Sequence, residues 1–183
     1  MKMEFDQEAK QRLYQRLSEI LDSEQILFNE EMSAHTTFRA GGKADIFVEI
    51  DTSAQLSSVL AALKAEGFSR LNKDFYLLGN GSNVLVSDKG IRGVVLHLSK
   101  AFSNIVVDNT RLICEAGATL AQVANKAYAY GLTGFEFAAG IPGSIGGAIV
   151  MNAGAYDGEM RQVVERVHLM MPDGTQIEKS GTE

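Results

Sequence analysis

Apolar positions along the chain recur at two periods, and together they predict a run of alternating helices and strands. Leu13, Leu17, Ile20 and Leu21 fall on one helical stripe between charged positions. That spacing predicts a surface helix, capped by Asp6 and running to about Leu21. Ala44–Ile50 reads as a strand. Thr52 or Ser53 then caps a helix whose Leu56, Val59, Leu60 and Leu63 face inward, and Gly67 stops it. Phe75–Leu78 and Val94–Leu98 are further strands. Ile105–Val107 and Arg111–Glu115 flank Asp108-Asn-Thr110 and predict a hairpin. Thr119 caps a helix through Tyr130 that turns Leu120, Val123, Ala124 and Ala127 inward, with Gly131 at its end. Val163–Met171 and Thr175–Glu178 flank Pro172-Asp-Gly174, a second hairpin signal. The first half reads as strand–helix–strand and the second as hairpin-rich with one clear helix; the join falls near Ser99–Ser103.

Two glycine-rich segments interrupt this pattern. Gly79-Asn-Gly-Ser-Asn83 follows the apolar run Phe75–Leu78, and Gly140-Ile-Pro-Gly-Ser-Ile-Gly-Gly147 follows Phe135–Ala139. Both runs are expected to be strands that deliver a loop. Such loops leave backbone N–H groups bare, and bare N–H groups attract phosphate oxygens. Ser144 is expected to cap a short helix beginning at Ile145. Glycine at a helix start costs about 1 kcal/mol relative to alanine, so the adjacent Gly146 and Gly147 need a reason. A flat ring or a pyrophosphate close to the backbone supplies one, and close packing against another strand supplies another. For Gly79–Asn83, a tight turn with no ligand is an equally good account. The common phosphate loops fit less well. The third glycine position of a dinucleotide G-x-G-x-x-G is Val84, followed by an extended-looking Val84–Val86. No Gly-Lys-Ser/Thr and no G-x-S-x-G is present.

Composition narrows the picture further. The chain has 183 residues, 45% of them apolar, and a net charge of −6. That suits one domain, or one domain of two lobes, and argues against a general nucleic-acid binder. No apolar stretch approaches the roughly 20 residues that span a bilayer. The charged N-terminus, with Lys2, Glu4, Asp6, Glu8 and Lys10, is unlike a signal peptide, and a cytoplasmic protein is expected. Cys114, the one cysteine, lies in an apolar strand and is expected as a buried structural thiol. The three histidines, His35, His97 and His168, are far apart in sequence and form no metal-ligand spacing, so no metal is expected. Lys179–Glu183 follows a hairpin strand directly, and the chain looks cut rather than finished.

The residues resemble a known family. Thr36-Thr-Phe-Arg-Ala-Gly-Gly-Lys-Ala-Asp45, Leu78-Gly-Asn-Gly-Ser-Asn-Val-Leu85, Gly140–Gly147 and Asn152-Ala-Gly-Ala-Tyr156 are similar to those of the UDP-N-acetylenolpyruvoylglucosamine reductases, more like that family's second type than its first. The combination covers the chain from about His35 to its end. The resemblance implies an α+β fold, the two-lobed FAD-binding domain of the vanillyl-alcohol-oxidase/PCMH type. Residues 1–34 would be an N-terminal helix and lead-in, and residues 35–183 the FAD-binding domain. Its first lobe would span about 35–100 and its second about 101–183, with the substrate domain absent.

The resemblance also implies the ligands. FAD would bind non-covalently through Gly79, Asn80, Gly81, Ser82, Asn83, Ile141, Pro142, Gly143, Ser144, Ile145, Gly146 and Gly147, with Gly154 nearby. NADPH would be the hydride donor. UDP-N-acetylglucosamine enolpyruvate would be the substrate of the full-length enzyme, reduced to UDP-N-acetylmuramate in peptidoglycan synthesis. The family's catalytic arginine, glutamate and serine are expected beyond Glu183, so no catalytic residue is assigned within the chain. Neither nucleic acid nor membrane is expected as a partner. Two other readings stay open: a different flavin oxidoreductase of the same fold, such as an oxidase, and a non-enzymatic flavin-binding module.

Overall fold

A computed structural model describes residues 7–71 and 73–181. The Asp6 cap lies outside them. Helix α1 (Gln7–Leu17) buries Ala9, Leu13 and Leu17 on one stripe. Its hydrogen-bonded chain continues as a tighter turn, with Ile20 N–H donating to Leu17 O at 3.0 Å, and Leu21 N–H reaches the same carbonyl at 2.9 Å. Leu21 is therefore buried as expected, although the regular helix ends earlier.

The first half builds one sheet from β1 (Ile26–Glu31), β2 (Lys43–Ile50), β3 (Phe75–Leu78) and β4 (Ile91–Leu98), in the order β1-β2-β4-β3. β2, β4 and β3 are parallel, and β1 joins antiparallel, Phe28 opposite Ile46. Strand β1 lies in the stretch that the hydrophobic pattern leaves as lead-in. An edge strand with only Ile26 fully buried has little periodicity to show. Helix α2 (Ser53–Ala65) starts at a Thr52 cap and covers one face of the sheet. Leu13, Leu17, Val59, Leu60 and Leu63 pack there with Ile46, Val48, Val94 and Leu96. On the opposite face Phe47, Val95 and Leu78 pack with Met32 and Val86. A central parallel strand is buried on both faces, which is why β2 and β4 read as near-continuous apolar runs.

One charge sits inside this layer. Asp45 is 4% exposed on β2. Its carboxylate accepts from Lys10 Nζ of α1 at 3.1 Å and from the Gly93 N–H of β4 at 3.1 Å. Arg92 pairs with it at 3.1 Å. The carboxylate thus ties α1 and β4 to β2, and its partners offset the cost of burying it.

The second half contains β5 (Ile105–Asp108) paired with β6 (Arg111–Cys114), α3 (Leu120–Ala129), α4 (Ile145–Met151), β7 (Gly154–Ala155) paired with β8 (Gly158–Glu159), and β9 (Arg166–Met170) paired with β10 (Gln176–Ser180). Both expected hairpins are present, and Thr119 caps α3 with its hydroxyl accepting from Gln122 N–H at 3.2 Å. Leu120, Val123, Phe137, Ala138, Ile145, Ala148 and Met160 form this half's core. One expectation fails: Phe135–Ala139 is not a strand. Glu136–Ala138 is a single tight helical turn, stabilised by the Glu136 carboxylate accepting from Gly134 N–H at 2.8 Å. Phe137 and Ala138 are buried against α3 and α4, so a short buried apolar run resembles a strand in sequence without being one.

Asp45→Ala should strip the buried Gly93 N–H and Lys10 of their acceptor. We expect a loss of about 2–4 kcal/mol in denaturant unfolding, and Asp45→Asn should lose less. A loss below about 0.5 kcal/mol would show that the burial cost cancels the network.

Candidate functional site

The Gly79–Asn83 loop leaves the carboxyl end of β3 and is held from behind by His35–Thr37. Thr37 N–H donates to Gly81 O at 3.1 Å. Gly81 has φ +63, and a methyl group there would run into the His35 carbonyl, so the position admits only glycine.

The second loop is pinned to the segment entering α3. Ile145 N–H donates to Ala118 O at 2.8 Å, Gly146 N–H to Ala116 O at 2.8 Å, and Leu120 N–H to Gly143 O at 3.1 Å. Ser144 is buried and caps α4, as expected.

The two loops, some sixty residues apart in the chain, touch each other. A methyl group on Gly79 would lie 2.5 Å from Ser144 Oγ, and one on Gly143 would lie 3.1 Å from Ser82 Oγ. Where they meet, backbone donors lack protein partners. Among the described residues, the N–H groups of Gly79, Asn80, Gly81, Ser82, Asn83, Gly143 and Ser144 find no acceptor within the protein. Native structures pair nearly all such groups where they are buried, and Gly81 and Ser144 are buried residues. A row of them, flanked by the Ser82 and Ser144 hydroxyls, suits phosphate oxygens. No side chain in either loop is charged.

The paired glycines divide. A methyl group on Gly146 would meet Ala116 Cβ at 2.9 Å, so close packing explains this glycine. Gly147 is exposed, and a methyl group there would meet only Ser144 Oγ, at an ordinary 3.5 Å. Nothing in the protein requires glycine at that position. Gly154 is set by its own hairpin, where a methyl group would lie 2.6 Å from Gly158 O. Ile141 is half-buried with its N–H on Ala138 O at 3.1 Å, and Pro142 is exposed.

Other groups that bear on chemistry lie outside the loops. His35 and His97, distant in sequence, come together with ring centroids 5.8 Å apart, and His35 stacks on Phe47 at 4.2 Å. This corrects the expectation that the histidines lie apart: the parallel register of β2 and β4 brings His97 beside Phe47. Burial lowers the His97 pKa below its ordinary value, against the pull of Glu49. No group of three metal-ligating side chains occurs among the described residues. Cys114 is half-buried on β6, not fully enclosed, and burial pushes its thiol up to about 11. An open depression lined in part by Glu136, Phe137, Tyr156 and Gln162 includes no residue of either glycine loop. Sequence reasoning found both glycine loops but missed their supports, His35–Thr37 and Ala116–Ala118. These supports act through backbone N–H and carbonyl groups, which leave no side-chain signal.

Among the described residues no helix is long and apolar enough to cross a membrane. Over 158 residues the chain is 49% identical to a UDP-N-acetylenolpyruvoylglucosamine reductase of Caldanaerobacter subterraneus subsp. tengcongensis, covering 86% of this chain and 50% of that protein. A reductase of the same name from Clostridioides difficile is 43% identical over 173 residues, 94% of this chain and 55% of that protein. The chain thus spans about half the length of the curated relatives it matches. The solved UDP-N-acetylenolpyruvylglucosamine reductase of Thermus caldophilus superimposes with a TM-score of 0.66 at 30% identity, over 86% of this chain and 52% of that one. p-Cresol methylhydroxylase superimposes with a TM-score of 0.70 at 16% identity, over 94% and 36%, which shows a shared fold of the vanillyl-alcohol-oxidase/PCMH type. A family model described as an FAD binding domain matches residues 44–180, and by that match, on a fold and a pair of loops that agree with it, the chain belongs to the FAD binding domain family.

Proposed function

We propose that this chain is the FAD-binding portion of a UDP-N-acetylenolpyruvoylglucosamine reductase, a cytoplasmic enzyme that uses NADPH to reduce UDP-N-acetylglucosamine enolpyruvate to UDP-N-acetylmuramate. The observation that carries the reading is the junction of Gly79–Asn83 with Gly140–Gly147, where N–H groups from both loops lack a protein acceptor. The reductase relatives carry the rest. FAD, when bound, passes hydride from NADPH to the enolpyruvyl double bond. The residues of this chain bind and orient it. The N–H groups of Gly79–Asn83, Gly143 and Ser144 and the hydroxyls of Ser82 and Ser144 hold the diphosphate. Gly147, open on its outer side, lets a flat ring lie against the backbone of α4. The proposed lobes, about 35–100 and 101–183, contribute one loop each, so the cofactor bridges them. These loop residues bind and position the cofactor.

Titration of the purified chain with FAD should give saturable quenching of flavin fluorescence. The yellow colour should separate from the chain on denaturation. No saturation, or a preference for NAD over FAD, would overturn the reading.

The two adjacent glycines give a sharper test. Gly147→Val should abolish FAD binding with little change in melting temperature, because the protein leaves room for the side chain. Gly146→Val should lower the melting temperature, by about 2–4 °C for each kcal/mol lost, because it meets Ala116. Undiminished FAD affinity in a folded Gly147→Val protein would remove that residue from the site.

A further inference from the structure

The segment Thr36–Lys43 runs alongside the first glycine loop in matching direction. Thr37 N–H donates to Gly81 O at 3.1 Å, and Gly42 N–H donates to Ser87 O at 3.0 Å. Between these two anchors lies Arg39. Its backbone is fixed in the left-handed region at φ +51. Arg39 N–H donates to Thr36 O at 3.0 Å, and the buried Thr36 hydroxyl donates to Ala40 O at 3.0 Å, so the turn that presents Arg39 is braced on both sides.

Arg39 is exposed, and among the described residues its guanidinium forms no hydrogen bond or ion pair. Two cations close by in the fold are engaged: Lys43 with Glu31 at 3.6 Å, and Arg92 with Asp45 at 3.1 Å. The glycine loops have a row of free N–H groups and no charged side chain, in a chain of net charge −6. A diphosphate placed there carries two negative charges against neutral donors and an unfavourable overall field. A guanidinium presents five donors in a rigid fork that matches phosphate oxygens, and it stays charged at every accessible pH.

We propose that Arg39 supplies the counter-charge for the diphosphate of the dinucleotide held at the two glycine loops. This rests on the FAD-binding reading and extends the site to a third chain segment. Arg39 is a binding residue, and its contribution is electrostatic.

The test compares FAD affinity at low and high salt for the unsubstituted chain, Arg39→Gln, Arg39→Asn, Arg39→Lys and Lys89→Gln, with a melting curve for each. Lys89 is an exposed cation at the far end of the same loop and makes the same change in net charge. Arg39→Asn tolerates the left-handed backbone and guards against a fold defect in Arg39→Gln. Arg39→Gln and Arg39→Asn should each weaken FAD binding by about tenfold or more and flatten its salt dependence. Arg39→Lys should recover part of the affinity, and Lys89→Gln should stay near the unsubstituted value. Equal affinity and equal salt dependence in the folded Arg39→Asn chain would overturn the proposal and leave FAD binding intact. An equal loss in Lys89→Gln would also overturn it, by assigning the effect to net charge. Absence of FAD binding in the unsubstituted chain would instead overturn the reading on which it rests.

Discussion

Gly79 packs against the side chain of Ser144, leaving no room there for a Cβ. Gly143 approaches the Ser82 hydroxyl in the same way. Everything proposed for this chain depends on that close approach of glycine backbone in each loop to a serine hydroxyl of the other. A Cβ at Gly79 or Gly81 would push the loops apart or drive the first loop off the His35 carbonyl. Separation would move the unpaired N–H groups of the two loops apart, and a phosphate group would meet fewer of them. The cost is a row of unpaired donors, which water satisfies until a ligand does.

The rest of the fold holds that junction from both sides. The first loop inherits its position from β3, which is held by β4 and by the buried faces of the sheet. The Asp45 carboxylate on β2 ties α1 and strand β4, at Gly93, to that strand. The second loop is hung by three backbone hydrogen bonds on the Ala116–Leu120 segment, ahead of α3. Neither anchor involves a loop side chain other than Ser144. Substitutions distant from the site can therefore move it, while exposed positions within it, such as Gly147, can change without loss of fold.

Elements with strong periodicity and clear caps were legible in the chain. α2 and α3, with Thr52 and Thr119 at their starts, lie where the pattern puts them. Both long hairpins follow their turn residues. Edge strand β1 was not legible, because its exposed outer side breaks the apolar pattern and its pairing with β2 is a long-range fact. Phe135–Ala139 misled, because a short apolar run with Phe137 and Ala138 buried under α3 and α4 satisfies a buried turn as well as a buried strand. His35 and His97 looked independent because strand register, not spacing, decides which side chains become neighbours.

For the site, the sequence determined that two glycine loops exist, that neither carries charge, and that Ser144 starts a helix. These are local matters of backbone freedom and capping, written in the residues themselves. Which glycine serves what purpose was a tertiary decision. Gly146 answers to Ala116 and Gly154 to Gly158, whereas Gly147 answers to nothing inside the protein. The meeting of the loops and the anchoring of the Arg39 segment at Gly81 and Ser87 were tertiary decisions too. Both depend on backbone hydrogen bonds between segments far apart in the chain, and a peptide N–H or carbonyl carries no mark in sequence of the partner it will find.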